Sequence, residues 1–399
     1  MKRGHNLFAT ICLLSFSILA YGQQEEEESK WDVKGYVKNM TSVTLASDCT
    51  LVDNLIHNRF DIRWYPTESL NAYVGVRNRM FFGDQIKIIN DVSELIPGFP
   101  SYGDLIDVDN DFFDLSVRWV DNRSFLFHTI VDRAYLQWIK NDWEVTLGRQ
   151  RVNWGTNLVW NPNDIFNAYS YFDFDYEERP AVDAIRVQKY TGFASTVEVV
   201  VKAARDWDDF VAAGLWKVNK GGYDFQFLGG YARRDITLGA GWAGNIKSSG
   251  FKGEMTYFIP TQSDTTDFDA FLTSLTWDLS FKKSSYIMAS VLFNSAGSTN
   301  PTPGEQLQFT QGRLTAKELS PYMYSLIFSG SYQFTPLING SIGAMTFPGS
   351  KTMFLYPVVT FSLVQNLDLD VIAQLFVDQV FTADMDATQV YYLRLKWSF

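Results

Sequence analysis

The last nine residues, Tyr391-Tyr392-Leu393-Arg394-Leu395-Lys396-Trp397-Ser398-Phe399, alternate between an oily set and a wet set of side chains. Successive side chains of a strand point to opposite faces, so this segment has one apolar and one polar surface. The same period of two recurs upstream. Phe60, Ile62 and Trp64 alternate with Arg59, Asp61 and Arg63, and Val197, Val199 and Val201 alternate with Thr196, Glu198, Val200 and Lys202. Patterning of this kind predicts strands over 32–44, 56–65, 69–82, 127–140, 142–150, 181–190, 193–203, 207–218 and 222–234. They continue over 235–246, 249–260, 267–280, 283–295, 318–334, 336–347, 351–365, 367–379 and 387–399. These segments are long enough to cross a membrane when tilted.

Turn chemistry supports that division. Thr67-Glu68-Ser69, Asn141-Asp142, Thr191-Gly192, Asn219-Lys220-Gly221-Gly222, Ser248-Ser249-Gly250, Lys282-Lys283-Ser284, Thr335-Pro336 and Asn366-Leu367-Asp368 are short links rich in turn formers. They fall at every second connection, and the long connections, 83–126, 151–180 and 296–317, fall between them. The expected fold is therefore all-β: a transmembrane antiparallel up-and-down β-barrel of about 18 strands, 16 or 20 if one hairpin is miscounted. An even count puts both termini at the periplasmic, short-turn end, with the long loops outside.

The two ends agree with a life in the cell envelope. Lys2 and Arg3 precede an apolar run from Leu7 to Ala20, and Ala20-Tyr21-Gly22 offers small residues for cleavage, so 1–22 reads as a signal peptide. That run is too short to span a bilayer. Glu25 to Glu28 make 23–30 an acidic, solvated periplasmic leader, and 31–399 is expected to be a single barrel domain. The terminal aromatic Phe399 resembles the recognition signal of bacterial outer-membrane β-barrels. The resemblance implies an integral outer-membrane location, lipid as a partner and delivery by the barrel-assembly machinery. A large soluble β-sandwich is the competing fold, since it too would alternate.

Composition narrows the function classes. Setting Lys2 and Arg3 aside leaves 32 of the 34 basic residues against 45 acidic ones, a balance that argues against a nucleic-acid partner. Aromatic residues reach 16%, which suits girdles at the two membrane interfaces. Without Cys12 of the leader only Cys49 remains, so no intramolecular disulfide forms. His57 and His128 are the only histidines after His5, too few to favour histidine-based catalysis.

If the barrel reading holds, function is written on the inward register. That register carries Lys34, Tyr36 and Lys38; Arg59, Asp61 and Arg63; Tyr73, Arg77 and Arg79; Arg133, Tyr135 and Gln137; Arg186 and Gln188; and Arg394 and Lys396. Arginine on the lipid side costs ~2–4 kcal/mol near the midplane, so these side chains belong inside. The first and last strands are neighbours at closure, which makes the basic residues one contiguous wall. The second half is poorer in inward cations. A wall of guanidinium groups suits an anionic or hydroxyl-rich solute, although charged ladders also simply solvate a pore.

The densest signature runs from Gly148-Arg149-Gln150-Arg151-Val152-Asn153-Trp154-Gly155 through Trp160-Asn161-Pro162-Asn163-Asp164 to Asp173-Phe174-Asp175-Tyr176-Glu177-Glu178-Arg179-Pro180. The G-R-Q-x-x-x-W-G strand end followed by N-P-x-D resembles the alginate-export-like porins of bacterial outer membranes. The resemblance implies a barrel that passes polymers or small polar solutes. Loop 151–180 also carries Phe166, Tyr169, Tyr171 and Phe172, too much aromatic surface to leave in water. It is expected to fold into the barrel as a constriction shaped by Trp154 and Trp160, with Arg149, Arg151 and Arg179 pairing with Asp164, Asp173 or Glu177. The alternative is a purely structural loop that stiffens the wall.

The functional expectation is a porin-like channel, not an enzyme and without a cofactor, that passes a polar, anionic or carbohydrate-like solute by passive diffusion. Its selecting residues are Arg59, Arg63, Arg77, Arg79, Arg133, Arg149, Arg151, Arg186, Arg394, Trp154 and Trp160. The alternative is a non-conducting barrel acting in surface binding or envelope assembly. Two weaker signals stand beside these. Asp107, Asp109 and Asp111 have the alternating spacing of a Ca²⁺ loop, but Phe112 and Arg118 occupy the positions where an EF-hand needs Gly and Glu. His128 with Ser124 would be the pair of a barrel hydrolase.

Overall fold

Strands with one oily face and two hydrogen-bonding edges need a cover for the face and partners for the edges. The chain meets the second demand by closing on itself. The computed structural model describes residues 29–46, 49–107, 111–168, 179–262, 268–282, 284–301, 314–378 and 386–399. The expected signal peptide and Glu25 to Glu28 lie outside the described residues, as do Asp109 and 169–178 of the aromatic loop.

The strands are β1 (Trp31–Ala46), β2 (Cys49–Thr67), β3 (Leu70–Gly83), β4 (Ser116–Asn122), β5 (Phe125–Lys140), β6 (Trp143–Gln150), β7 (Val182–Gly192), β8 (Ser195–Lys202), β9 (Val211–Lys220) and β10 (Tyr223–Ala232). They continue as β11 (Asp235–Ile246), β12 (Ser249–Pro260), β13 (Ala270–Phe281), β14 (Ser285–Asn294), β15 (Tyr324–Thr335), β16 (Ile338–Thr346), β17 (Met353–Val364), β18 (Leu367–Asp378) and β19 (Asp386–Ser398). All pair antiparallel in one sheet, and β19 returns to β1 with Val43 opposite Tyr391 and Lys38 opposite Lys396.

Eighteen of these strands are staves, in line with the sequence reading. The nineteenth, β4, patches the wall. It pairs with Phe125–Ile130 of β5, while β6 takes the same edge of β5 from Ala134 to Lys140. Sequence patterning misses β4 because it is short and its register slips between Arg118 and Val120, which breaks the period. It also places the start of β2 seven residues late: adjacent Asp53 and Asn54 interrupt the alternation, yet both pair across to β1. The connection between β3 and β4 holds helices α1 (Asp84–Leu95) and α2 (Tyr102–Ile106).

Burial runs opposite to that of a soluble protein. On β8, Val197, Val199 and Val201 are 41–50% exposed, whereas Glu198 and Lys202 are at most 2% exposed. Phe60, Trp64, Leu136, Ile185, Leu393 and Leu395 repeat the pattern on their strands. A sandwich buries its oily register. Here that register is the outer surface, which only hydrocarbon can cover.

The seam is closed by the final residue. Phe399 and Gly35 exchange two backbone hydrogen bonds of 2.9 Å, and the Phe399 ring lies against Phe60 and Trp397. It occupies the space that a side chain on residue 35 would need: a Cβ there would sit 2.8 Å from Phe399 Cζ and 2.3 Å from the Arg59 carbonyl oxygen. Gly35→Val should therefore force the seam apart at a cost of about 1–3 kcal/mol. The check is the temperature at which the detergent-solubilised barrel loses its compact gel mobility. It should fall for Gly35→Val and hold for Gly214→Val, whose site is open apart from one contact at 3.6 Å.

Candidate functional site

The closed register lines up basic side chains that lie far apart in sequence. Lys396 sits opposite Lys38, Lys38 opposite His57, His57 opposite Arg79, Arg79 opposite His128 and His128 opposite Arg118. This row crosses six neighbouring strands. Lys38 opposite Lys396 is a like-charge pair, and such pairs directly opposite one another destabilise a sheet. Lys38, His57 and His128 are almost wholly buried. Both Lys38 and Lys396 lie over the Tyr36 ring, and the Tyr36 hydroxyl is 3.3 Å from His57 Nε2.

Several of the expected selecting residues are spent on carboxylates. Arg59 holds Asp132 at 2.6 Å and Asp61 at 2.8 Å. Asp132 reaches the interior through a bulge: Arg133 faces Gly75 and Val131 faces Val76, so the residue between them has no partner of its own. Simple alternation places Asp132 on the outward face, although two adjacent charged residues in an alternating strand are a bulge signal. Arg394 pairs with Asp370 at 2.9 Å, and Arg186 with Glu198 at 2.8 Å. Arg149 is 2% exposed and pairs with Asp183 at 2.8 Å, not with Asp164. It also donates to the Phe113 and Val131 carbonyls, so it braces the wall where β6 ends. Arg77 is buried, and Arg79 donates to the Ile106 carbonyl and lies 3.2 Å from His128 Nδ1.

Four arginines, Arg186 with its Glu198 partner among them, converge. A cavity of about 170 Å³ is lined by Arg63, Arg133, Arg151 and Arg186 together with Tyr73, Tyr135, Gln137, Thr146 and Gln150. Among the described residues no carboxylate lines it. The Tyr73 and Tyr135 rings stack at 5.1 Å, and Arg63 lies over Tyr73. Tyr73 donates its hydroxyl proton to Asp61, while Arg133 donates to the Asp132 and Arg179 carbonyls. Four guanidinium groups, two phenols and two amides in a partly desolvated space favour a bound oxyanion, because charge-assisted bonds strengthen as water is excluded.

The described part of loop 151–180 fills the opposite half of the lumen. Trp154, Trp160, Ile165 and Phe166 are buried against Val200, Leu215, Leu228, Phe258, Leu272 and Ile327, the apolar inward residues of β8 to β15. This explains why that half is poor in cations: its inward face is the bed of a loop. Trp154 and Trp160 therefore anchor the loop instead of facing solute. The anchors are polar groups on the strands. Glu254 accepts from the Thr156, Asn157 and Asn163 backbone N–H groups and the Thr156 hydroxyl. Thr256 donates to Asn163 Oδ1, Gln226 to the Trp154 carbonyl and Ser274 to the Trp160 carbonyl. The sequence reading singled out none of these four, because a lone polar residue on an inward face has no visible partner until the loop is in place.

The weaker signals separate in space. Asp107 is bonded to His128 at 3.0 Å and Arg118 at 3.3 Å, whereas Asp111 pairs with Lys202 at 2.9 Å. Among the described residues no group of three acidic, histidine or cysteine side chains could hold a metal ion. Ser124 is exposed at the β4–β5 turn and His128 is buried with Asp107 and Arg79, so the two are not hydrogen-bonded to each other.

No family model and no curated protein matches the sequence. Solved structures do match in shape. OccK11 (OpdR) of Pseudomonas aeruginosa aligns with a TM-score of 0.55 at 9% identity over 92% of this chain and 96% of its own. OccAB3 of Acinetobacter baumannii gives 0.57 at 10% identity over 92% and 99%, and Pseudomonas aeruginosa OpdO gives 0.57 at 7% over 93% and 97%. The chain shares the closed antiparallel β-barrel fold of these neighbours. At such identities the likeness concerns the barrel and carries no solute with it.

Two tests follow from loop docking. Replacing Glu254 with Ala strands four buried donors and should cost roughly 3–5 kcal/mol, freeing the loop. Protease cleavage within 151–168 should become fast while the barrel stays intact. Burial also pushes the Asp164 carboxyl up to about 6, and its Oδ2 has no hydrogen-bond partner among the described residues. An acid with a raised value in the docked state favours docking when protonated, and the advantage fades as pH rises through that value. Hydrogen exchange of 151–168 should therefore slow, after correction for intrinsic rates, as pH falls from about 7 to 5; Asp164→Asn should flatten that dependence.

Proposed function

We propose that the protein is an outer-membrane channel through which a small anionic or strongly hydroxylated solute diffuses passively along the basic wall. The observation that carries this reading is the convergence of Arg63, Arg133, Arg151 and Arg186 on one cavity that no carboxylate among the described residues lines. Guanidinium groups bind carboxylate, sulfate or phosphate oxygens in pairs, and rings of them bias a pore toward anions. The basic residues from Lys396 to Arg118 run across the same wall nearer the loop end, with Lys38, His57 and His128 among them almost wholly buried. In this reading the short turns and both termini face the periplasm, and Phe399 serves the assembly machinery as well as the seam. The Gly148–Gly155 and Asn161–Asp164 segments support kinship with alginate-export-like porins; alginate itself is not carried over.

One observation favours the alternative of a non-conducting barrel: half of the lumen is packed with loop. Planar-bilayer recording separates the two. A channel gives steady current with anions preferred, and a closed barrel gives none. In a conducting barrel, Arg63→Gln combined with Arg133→Gln should lower the anion-to-cation permeability ratio by ~2-fold or more. An unchanged ratio would remove the cavity from the path.

A further inference from the structure

We infer that Glu198 is a positioning residue: it sets both the wall cation and the loop cation of the arginine cavity, so an acid maintains the anion preference of the channel. The inference rests on the channel reading above.

Glu198 lies on β8, is 2% exposed and sits just outside the cavity lining. Its two oxygens take four donors. Oε1 accepts from Trp154 Nε1 at 2.7 Å and Arg186 Nε at 2.8 Å, and Oε2 accepts from Arg186 Nη2 at 3.1 Å and Gln188 Nε2 at 2.9 Å. Arg186 thus spends its Nε–Nη2 edge on Glu198, which fixes the plane of a guanidinium that lines the cavity. A bidentate hold of this kind removes most of the rotational freedom of a long side chain.

The other arm reaches the loop. Trp154 is three residues beyond Arg151 and four beyond Gln150, both of which line the cavity. Its indole is buried against Phe166 at 4.9 Å, and its only side-chain donor goes to Glu198. The short chain between cavity and anchor transmits any movement of Trp154 to Arg151. One carboxylate therefore ties a β7 cation and a loop cation to the same strand. The Glu254 clamp holds residues 156–163, further along the loop, and contacts none of the cavity-lining residues by hydrogen bonds.

Charge alone predicts the opposite of what this arrangement predicts. Lys217 and Arg186 both lie near Glu198, so neutralising the acid adds net positive charge to the lumen and, by field alone, should raise anion preference. A positioning role predicts a fall. Glu198→Gln presents an amide N–H₂ to Arg186 and Gln188 donors, so the bidentate hold is lost and Arg186 leaves its plane.

The test measures wild type, Glu198→Gln and Trp154→Phe in planar bilayers, with folding checked by heat-modifiable mobility. The expected result is a permeability ratio for anions over cations about two-fold lower in Glu198→Gln, with added open-channel noise in both variants. A higher ratio in Glu198→Gln, with quiet current, overturns the inference while leaving the channel reading intact. Absence of anion preference in wild type overturns the channel reading itself. Hydrogen exchange across 150–154 decides the loop arm regardless of current: it should rise about ten-fold in both variants, and unchanged exchange overturns the coupling. Should Glu198→Gln fail to assemble, Trp154→Phe carries the test alone, since it removes one bond and no charge; an unaltered noise level and exchange rate would then reject the inference.

Discussion

Closure of the backbone ladder is the constraint from which the other features descend. In hydrocarbon each unpaired N–H or C=O costs several kcal/mol, so a sheet survives there only when its last edge meets its first. Here that meeting runs along β1 and β19 and ends in the reciprocal bonds of Gly35 and Phe399. Once the ring is shut, the period of two becomes a sorting rule. The oily register has to face lipid, and every charged side chain has to be accommodated within one enclosed space.

That space is divided by chemistry into unequal halves. Along β8 to β15 many inward residues are apolar, and together with the polar anchors Glu198, Gln226, Glu254, Thr256 and Ser274 they receive the Trp154–Phe166 stretch of the loop as a core receives a helix. Along β19, β1 to β3, β5 and β7 they are charged, and most of the charge is internally balanced: Arg59 by Asp132 and Asp61, Arg149 by Asp183, Arg394 by Asp370. Such buried pairs contribute modestly to stability and strongly to specificity of arrangement, because breaking one strands its partner. Around Arg63, Arg133, Arg151 and Arg186, where no described carboxylate lines the cavity, the wall offers a site.

Much of this architecture is legible without coordinates. The stave count, the position of nearly every short turn and the inward register of Arg59, Arg63, Arg133, Arg186 and Arg394 follow from a local signal, the alternation of side chains, which survives in each strand separately. Elements that break the alternation are the ones that escape it. β4 carries a register slip, the start of β2 has adjacent polar residues, and the Asp132 bulge moves a carboxylate onto the face of its neighbours. The site was legible only as a list. Arg149 and Arg186 look alike in the sequence, yet one is a buried brace beside Asp183 and the other borders the cavity.

By itself the sequence determined which face of each strand could touch lipid, since the free energy of placing guanidinium in hydrocarbon decides that strand by strand. It also determined that the aromatic loop had to leave water. Only the tertiary structure decided where the loop lies and which arginines remain to meet a solute. Those outcomes depend on pairings such as Glu254 with Asn163, and Glu198 with Trp154, between residues dozens of positions apart. Hydrogen bonds of that range are set by closure and register, and no local period encodes them.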